Sequence, residues 1–343
     1  MSGRHISTIA TVLLVYAITV ACSDKVTLWP AIAITSQPSD ISQGSVVLHG
    51  EVVIDKYSNA GFEFGTSTEY GQRIYDIQYD TQTNSKIEIS YFLGTLIPNT
   101  TYHYRSVAES KNGIIYGDDV SFTTMDNKIV FNPNLTYGSV SDVDGNTYKT
   151  IKIGSQTWMA ENLRTSRYND GSPITFIGPA DKWFVTGQAE YCWYNDDKTR
   201  FGDTYGAIYN WYAVNSYKLC PAGWHVPEDS EWKILIDYLG GPLDIGIKIK
   251  ETGGIHWLNP DSKTTNESGF TALPSGYRNF DGSYKVQPPL SSWKGTEAYW
   301  WTSTQAYYQG SFYMAMYAGS NALLKGSWRF EMGHSVRCVM NVE

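Results

Sequence analysis

The sequence is short of charged residues, and positive charge is the scarcer sign. Charged residues make up 17% of the 343, with 26 Lys and Arg against 34 Asp and Glu, and the formal net charge is −8. Nucleic acids and anionic membrane surfaces are bound by clustered Lys and Arg, so we expect neither as a direct partner of the folded chain. Because aromatic residues reach 15%, the composition predicts a well-packed protein and argues against disorder.

Tryptophan is nearly absent from the first 150 residues, because eleven of the twelve follow that point. The chain is also longer than one domain usually is. We therefore expect two chemically different folded units.

Long apolar runs are missing except at the N-terminus. Arg4 is followed by a mostly apolar run, 9–20, that ends at Ala21 and Cys22. This pattern predicts a lipoprotein signal peptide over 1–21, with Cys22 as the lipidated first residue of the mature protein. The run is too short to span a bilayer comfortably, and an ordinary secretory peptide with an incidental cysteine is the alternative. Ser23-Asp24 resembles the export tag of Bacteroidota surface lipoproteins, so we expect an outer-membrane protein exposed at the cell surface.

The segment 29–126, after a tether over 22–28, predicts an all-β sandwich. Short runs of alternating apolar and polar residues are separated by turn residues at sandwich spacing. The run 96–105 resembles the fibronectin type III pattern, whose tyrosine corner would be formed by Leu96, Pro98, Thr100 and Tyr102. We expect this fibronectin type III-like domain to act as a rigid spacer.

The remainder divides into a linker over 127–137 and a second domain over 138–343. The run 228–239 has an acidic start and apolar residues at helical spacing before Gly240-Gly241, which predicts one amphipathic helix, and a weaker one follows over 243–251. Aromatic strands and Gly-rich turns come after it, as in an α+β domain. Asp142 and Asp144 begin like an EF-hand loop, but Thr147 and Ile153 stand where Gly and Glu are needed, so a hairpin turn at Asp144-Gly145 is predicted instead.

Seven motifs in the second domain carry a family resemblance. They are the runs 144–154, 156–164, 205–213, 219–227, 266–278, 299–304 and 335–339. Together they resemble the Fibrobacter succinogenes major paralogous domain. The resemblance implies a surface or secreted module, often on lipoproteins, with a fold similar to that of C-type lectins and formylglycine-generating enzymes.

The lectin-like resemblance also implies a disulfide. Such domains commonly join a cysteine near the first helix to one at the last strand, which corresponds to Cys220 and Cys338 here. Cys192 would then be an unpaired thiol buried among aromatic residues.

Two enzymatic functions are the alternatives. The resemblance implies an oxidase of the formylglycine-generating type, and the carboxylates near aromatic residues suggest a glycoside hydrolase. The first needs a pair of reactive cysteines, which a Cys220–Cys338 bridge would remove. For the second, Asp196, Asp197 and Asp203 lie near aromatic residues, but 195–198 is typical of a solvated turn. His225 is predicted to be a hydrogen-bonded core histidine and not a catalytic base. The acidic triplets of calcium-dependent lectins are missing, so we expect no catalytic residues, no metal and no cofactor.

Aromatic residues in loop-like stretches are the candidate ligand-binding residues, because Tyr and Trp offer large contact area at low conformational cost. We expect Trp300 and Trp301 to be core instead. The sequence predicts a non-catalytic, lectin-like binding module for a protein or glycan ligand, and the alternative is an adhesin-tip or structural subunit that docks other surface proteins. The candidates are Tyr284, Trp293, Tyr307, Tyr308 and Trp328.

Overall fold

The computed structural model describes residues 32–54, 58–79, 85–110, 113–178, 183, 187–258, 261–285 and 295–342. The predicted signal peptide, Cys22 and Trp293 lie outside these residues. Within them, no helix combines the length and apolar character needed to cross a membrane.

The first part of the chain forms two facing antiparallel sheets. One has the strand order β1-β2-β5, and the other has the order β4-β3-β6-β7 with β8 paired to β6. The strands are β1 Ile32–Thr35, β2 Val46–Ile54, β3 Ser58–Gly65, β4 Gln72–Tyr79, β5 Ser85–Leu93, β6 Thr101–Ser110, β7 Gly113–Tyr116 and β8 Val120–Thr123.

Period-two alternation explains why these strands form a β-sandwich. In β2 every second apolar residue, Val46, Leu48 and Val52, is buried, and the intervening side chains turn outward. Phe62 and Tyr104 meet between the sheets with ring centroids 6.0 Å apart. The Ile97 backbone N–H donates to the Tyr102 hydroxyl over 3.0 Å, as the predicted tyrosine corner requires.

The second part of the chain forms three more sheets among the residues described. Their orders are β15-β22-β11-β10-β9, β12-β13-β14-β21-β16-β17 and β18-β19-β20. The first seven strands are β9 Gly138–Ser141, β10 Thr147–Ile153, β11 Gln156–Met159, β12 Thr175–Phe176, β13 Glu190–Trp193, β14 Ala207–Asn210 and β15 Trp224–His225. The others are β16 Tyr277–Arg278, β17 Tyr284–Lys285, β18 Glu297–Tyr307, β19 Gly310–Tyr317, β20 Leu323–Arg329, β21 Gly333–His334 and β22 Val339–Met340. The helices are α1 Asp203–Tyr205, α2 Trp211–Val214, α3 Asp229–Tyr238 and α4 Ile245–Ile249.

The predicted helix is confirmed as α3. Its start is fixed by the Glu228 backbone N–H, which donates to the Glu231 carboxylate over 2.9 Å. Trp232 and Leu235 are fully buried, and Gly240 follows the helix with a φ of 95°, a conformation that glycine adopts without strain. The weaker prediction over 243–251 corresponds to the shorter α4.

The predicted hairpin is also confirmed, because β9 pairs antiparallel with β10 around Asp144-Gly145. The Asp142 carboxylate accepts hydrogen bonds from the backbone of Asp144 and Asn146 and from the Tyr148 hydroxyl. Its oxygens therefore stabilise the turn.

The segment predicted as a linker, 127–137, packs against the second part of the chain. The Asn127 side-chain amide donates to the Thr204 hydroxyl over 2.9 Å, and the Val130 N–H donates to Glu251 over 2.7 Å. Phe131 and Tyr137 lie against the core cluster that contains Trp232. The segment therefore contributes to the packing of the second part.

Candidate ligand-binding site

One face of the sheet β18-β19-β20 packs against the core that contains Trp232, and the other face is rich in aromatic residues and is itself partly covered. Side chains of a strand alternate between faces, so Trp300 enters the core beside Trp232 while Trp301 points the other way. Both are fully buried, which confirms them as core residues. Further aromatic residues lie on the same face as Trp301. Tyr313 of β19 pairs with Trp301 of β18 and with Gly326 of β20, and Trp328 of β20 pairs with Ser311 of β19.

This face carries a cluster that we call the aromatic platform. It is formed by Tyr299 of β18, Tyr313 and Tyr317 of β19, Trp328 of β20 and Tyr277 of the neighbouring β16. Tyr299 is buried beneath the other four, and those four are partly exposed. The platform therefore presents aromatic surface to solvent over a buried aromatic base.

Trp328 lies at the centre of the platform. Its ring centroid is 4.7 Å from that of Tyr313, 4.9 Å from that of Tyr277 and 5.4 Å from that of Tyr299. Aromatic pairs at such distances add about 0.5–1.5 kcal/mol beyond area burial, so the exposed rings are held in fixed orientations. A rigid surface loses little entropy when it binds a ligand.

Gly326 allows the rings to approach this closely. A Cβ atom at Gly326 would lie 2.4 Å from the Tyr313 ring, much closer than atoms pack. The absence of a side chain on β20 therefore lets Tyr313 lie flat across the strand.

Several polar groups of the platform have no partner among the residues that the structure describes. These are the Tyr277 and Tyr313 hydroxyls and the Trp328 indole N–H, and all three residues are partly exposed. Burial raises the pKa of Tyr313 to about 12 and that of Tyr277 above its usual value. The hydroxyls therefore stay protonated at neutral pH and can donate to a ligand.

Glu297 adds a carboxylate at one edge of the platform. It accepts a hydrogen bond of 2.6 Å from the Tyr299 hydroxyl, which is also 3.2 Å from that of Tyr317. Burial, followed by this bond, raises the pKa of Tyr299 well above its usual range. No cation pairs with Glu297 within the described parts of the chain.

His334 lies beneath the platform and is completely buried. Its ring centroid is 4.2 Å from that of Trp301 and 5.3 Å from those of Tyr299 and Trp328. Neither ring nitrogen has a hydrogen-bond partner among the described residues. Burial lowers the pKa of His334 far below its usual value, so the ring is neutral.

The predicted ligand residues are not all at this platform. Trp328 is at its centre, whereas Tyr307 and Tyr308 lie at the tip of the β18–β19 hairpin, with Tyr308 86% exposed. Tyr284 is held elsewhere, because its hydroxyl donates to Asp196 over 2.6 Å and its ring packs 5.5 Å from that of Tyr194.

Sequence reasoning did not select Tyr277, Glu297 or His334. It counted Tyr313 and Tyr317 among the aromatic residues of a loop-like stretch suited to recognition, whereas the structure places both in strand β19. A signal for β19 was present, since Tyr313 and Tyr317 alternate with Met314 and Met316 at the period of a half-exposed strand. Tyr277 comes from the distant short strand β16, and His334 comes from the short strand β21 that follows β20, and the alternation in β19 gives no sign of either.

The predicted disulfide is present. Cys220 and Cys338 are joined with an S–S distance of 2.04 Å and a Cα–Cα distance of 6.0 Å. The bridge lies beside the pairing of β15 with β22. Cys192 is the free cysteine and is buried, which raises the pKa of its thiol to about 11.

Of the candidate acid and base residues, Asp196, Asp197 and His225 are held by structural bonds, whereas Asp203 is exposed at the start of α1. Asp197 accepts from the Arg200 backbone N–H over 3.0 Å, and Asp196 accepts from Tyr284. His225 is half-exposed rather than a core residue, and its two ring nitrogens contact Glu231 and Asn341. Among the described residues, no three His, Cys, Asp or Glu side chains are grouped to hold a metal ion.

Comparison with solved structures finds partial likenesses to a sensor domain. A short version of the sensor domain of the anti-sigma factor RsgI4 from Pseudobacteroides cellulosolvens is 16% identical, with a TM-score of 0.25 over 29% of this chain and 99% of that one. A long version is 18% identical, with a TM-score of 0.24 over 33% and 99%. TM-scores of this size carry no inference about fold or function.

Among curated protein sequences no match is found. The family model of the Fibrobacter succinogenes major domain matches residues 151–340, which is more than half of the chain and includes all five platform residues. This agrees with the motifs that run from 144 to 339. The chain belongs to the Fibrobacter succinogenes major domain family.

Proposed function

We propose that this chain is a lipid-anchored cell-surface protein whose lectin-like second domain binds its ligand, without catalysis, through the aromatic platform. The observation that carries the proposal is the set of partly exposed aromatic rings, Tyr277, Tyr313, Tyr317 and Trp328, fixed by mutual contact. Rigid aromatic side chains with free polar tips are the residues on which binding energy concentrates at recognition surfaces.

Three observations support binding over catalysis. The Cys220–Cys338 bridge leaves Cys192 without a second thiol among the described residues, and its own thiol is buried and stays protonated. Of the carboxylates considered for glycoside hydrolysis, Asp196 and Asp197 are engaged by Tyr284 and Arg200, and Asp203 is exposed at the start of α1. The platform itself combines one carboxylate with neutral hydroxyls, which suits hydrogen bonding.

The anchoring part of the proposal is supported by the N-terminal sequence. Cys22 follows an apolar run and a small residue, as a lipidated cysteine does. A β-sandwich between the anchor and the second domain would hold the platform away from the membrane.

The proposal is tested by immobilising the full-length protein and screening it against a glycan array and solubilised surface proteins. The expected result is a ligand whose binding is lost with Trp328→Ala and retained with Tyr217→Ala, a control at a tyrosine that is 75% exposed. Circular dichroism and thermal melting establish that both variants are folded. If the folded Trp328→Ala variant bound every ligand as the wild type does, the platform would not be the binding surface.

A further inference from the structure

The exposed rings of the platform offer a narrow stacking surface. Tyr277 and Tyr313 each contact Trp328 but make no ring contact with one another, which places Trp328 between them. Stable protein partners bury about 800 Å² on each side, whereas a fully buried aromatic side chain contributes only about 150–250 Å². Four partly exposed side chains fall well short of a protein interface, and they suit a ligand with a small, flat apolar face.

The polar groups of the platform require a ligand rich in hydroxyls. The Tyr277 and Tyr313 hydroxyls and the Trp328 N–H have no partners among the described residues, so an apolar ligand that covered them would leave them unsatisfied. A pyranose ring has both features, because its C–H faces pack on aromatic rings while its hydroxyls lie around the edge.

The charge of the platform selects among sugars. Glu297 stands beside Tyr299 with no cation paired to it within the described residues. Arg329 follows Trp328 in the chain, but its guanidinium lies over the Phe280 ring and near Glu331. His334 below is neutral, and Lys250 is buried with its ammonium donating to the Tyr317 and Ser320 carbonyls. None of these described groups is free to compensate a carboxylate on the ligand.

We infer that the platform binds an uncharged hexopyranose, stacked on Trp328 between Tyr277 and Tyr313, with Glu297 accepting hydrogen bonds from its hydroxyls. The inference rests on the proposed function, because it names the ligand class of the same surface. Glycans of host surfaces and neutral polysaccharides of cell walls share this chemistry.

The test compares neutral and acidic oligosaccharides of equal length and linkage. Calorimetric titrations of the full-length protein would use β-1,4-linked hexasaccharides of glucose and mannose, and the matching hexasaccharides of glucuronic and mannuronic acid. N-acetyllactosamine oligomers form a further arm that represents host glycans. We expect binding to at least one neutral probe and at least tenfold weaker binding to its acidic counterpart.

Two conservative variants keep the test informative if Trp328→Ala fails to fold. Trp328→Phe retains a ring and should weaken binding of the neutral probe severalfold. Glu297→Gln retains shape and one acceptor oxygen but removes the charge, so binding of the acidic counterpart should rise at least threefold. Tyr217→Ala should change neither affinity.

The outcomes separate this inference from the proposed function. If acidic probes bound as tightly as neutral ones, or if only a protein bound and did so through Trp328, the uncharged-sugar inference would be overturned and the platform would stand as a binding surface. The inference would also be contradicted if none of the neutral oligosaccharides bound. Binding of a neutral probe that the folded Trp328 variants leave unchanged contradicts both.

Discussion

Two histidines of the second part of the chain have opposite surroundings. Burial lowers the pKa of His334, whereas the hydrogen bond that the His225 ring donates to the Glu231 carboxylate raises the pKa of half-exposed His225. The folded protein thus disfavours the charged imidazolium form of His334 and favours the charged form of His225. The two residues therefore predict opposite dependences of stability on pH.

His334 should make the protein sensitive to acid. Below about pH 6.5, His334 binds a proton in the unfolded chain but not in the folded chain. The free energy of unfolding therefore falls as the pH falls, by about 1.4 kcal/mol per pH unit. His334→Phe, which also removes two unpaired buried nitrogens, should flatten this dependence. Urea unfolding of both proteins between pH 4.5 and 7.5 measures the effect. Parallel pH profiles would contradict the assignment.

His225→Gln is the matched comparison. The stabilisation from protonated His225 is fully present below pH 6.5 and is lost as the pH rises through its raised folded-state pKa. The stability difference between wild type and His225→Gln should therefore shrink at alkaline pH, a trend opposite to that of the His334 variant.

Gln309 shows backbone strain at a single residue. It follows Tyr308 in the β18–β19 hairpin with a φ of 128°, a conformation that favours glycine. Gln309→Gly should raise the free energy of unfolding by about 1 kcal/mol. Tyr308→Gly, at the neighbouring position without positive φ, should lower it, because glycine there only adds freedom to the unfolded chain. Equal effects of the two changes in thermal melting would refute the strain argument.

At the scale of the element, α3 is anchored to the core by one tryptophan. Trp232 is fully buried with its ring 4.9 Å from that of Trp158 and 5.8 Å from that of Phe270. Its indole N–H has no described partner, so its contribution comes from packing.

Trp232→Ala should cost about 3–5 kcal/mol, as truncation of a buried aromatic side chain does. Tyr238→Ala on the same helix, where the side chain is 64% exposed, should cost less than about 1 kcal/mol. Chemical denaturation of both variants checks the contrast. If Trp232→Ala lowered the free energy of unfolding as little as Tyr238→Ala, packing of Trp232 would not be what holds α3 against the core.

Elements with a strong local pattern were predictable from the sequence. The helical spacing of Trp232, Leu235 and Leu239 gave α3, and the alternation in 46–54 gave β2. The Asp144-Gly145 turn was predictable because its residues carry the turn chemistry themselves.

The candidate site was only partly predictable, because it depends on contacts between distant segments. Trp328 was identified as an aromatic residue outside the obvious core, but its neighbours were not. Tyr277 precedes it by about 50 residues and is brought near by the pairing of β16 with β21, and His334 is brought beneath it by the turn from β20 into β21. Tyr284 had the same local appearance, and the Asp196 hydrogen bond that holds it in another cluster has no sequence signature.

At the scale of the whole molecule, direct hydrogen bonds join the two parts within the described residues. Arg200 donates to the Thr95 carbonyl, and Gln43 reaches the Ile255 carbonyl over 3.5 Å. Cavities of about 560 and 470 Å³ are both lined by Arg200.

The N-terminal sequence predicts how the molecule is held at the membrane. Cys22→Ala should abolish lipidation and release the protein from the membrane fraction, because the anchor depends on that thiol. Fractionation followed by immunoblotting measures the distribution. A variant that stayed membrane-bound with its leader uncleaved would show that the leader acts as a membrane helix.

The most direct test of the account is hydroxyl-radical footprinting of the full-length protein with and without the neutral hexasaccharide that it binds. Tyr277, Tyr313 and Trp328 should become protected, because the bound sugar would cover these rings. Tyr217 and Tyr308, which are exposed elsewhere, should react equally in both samples. Protection of Tyr308, or of residues in the first sandwich, with the platform unchanged would contradict the central claim.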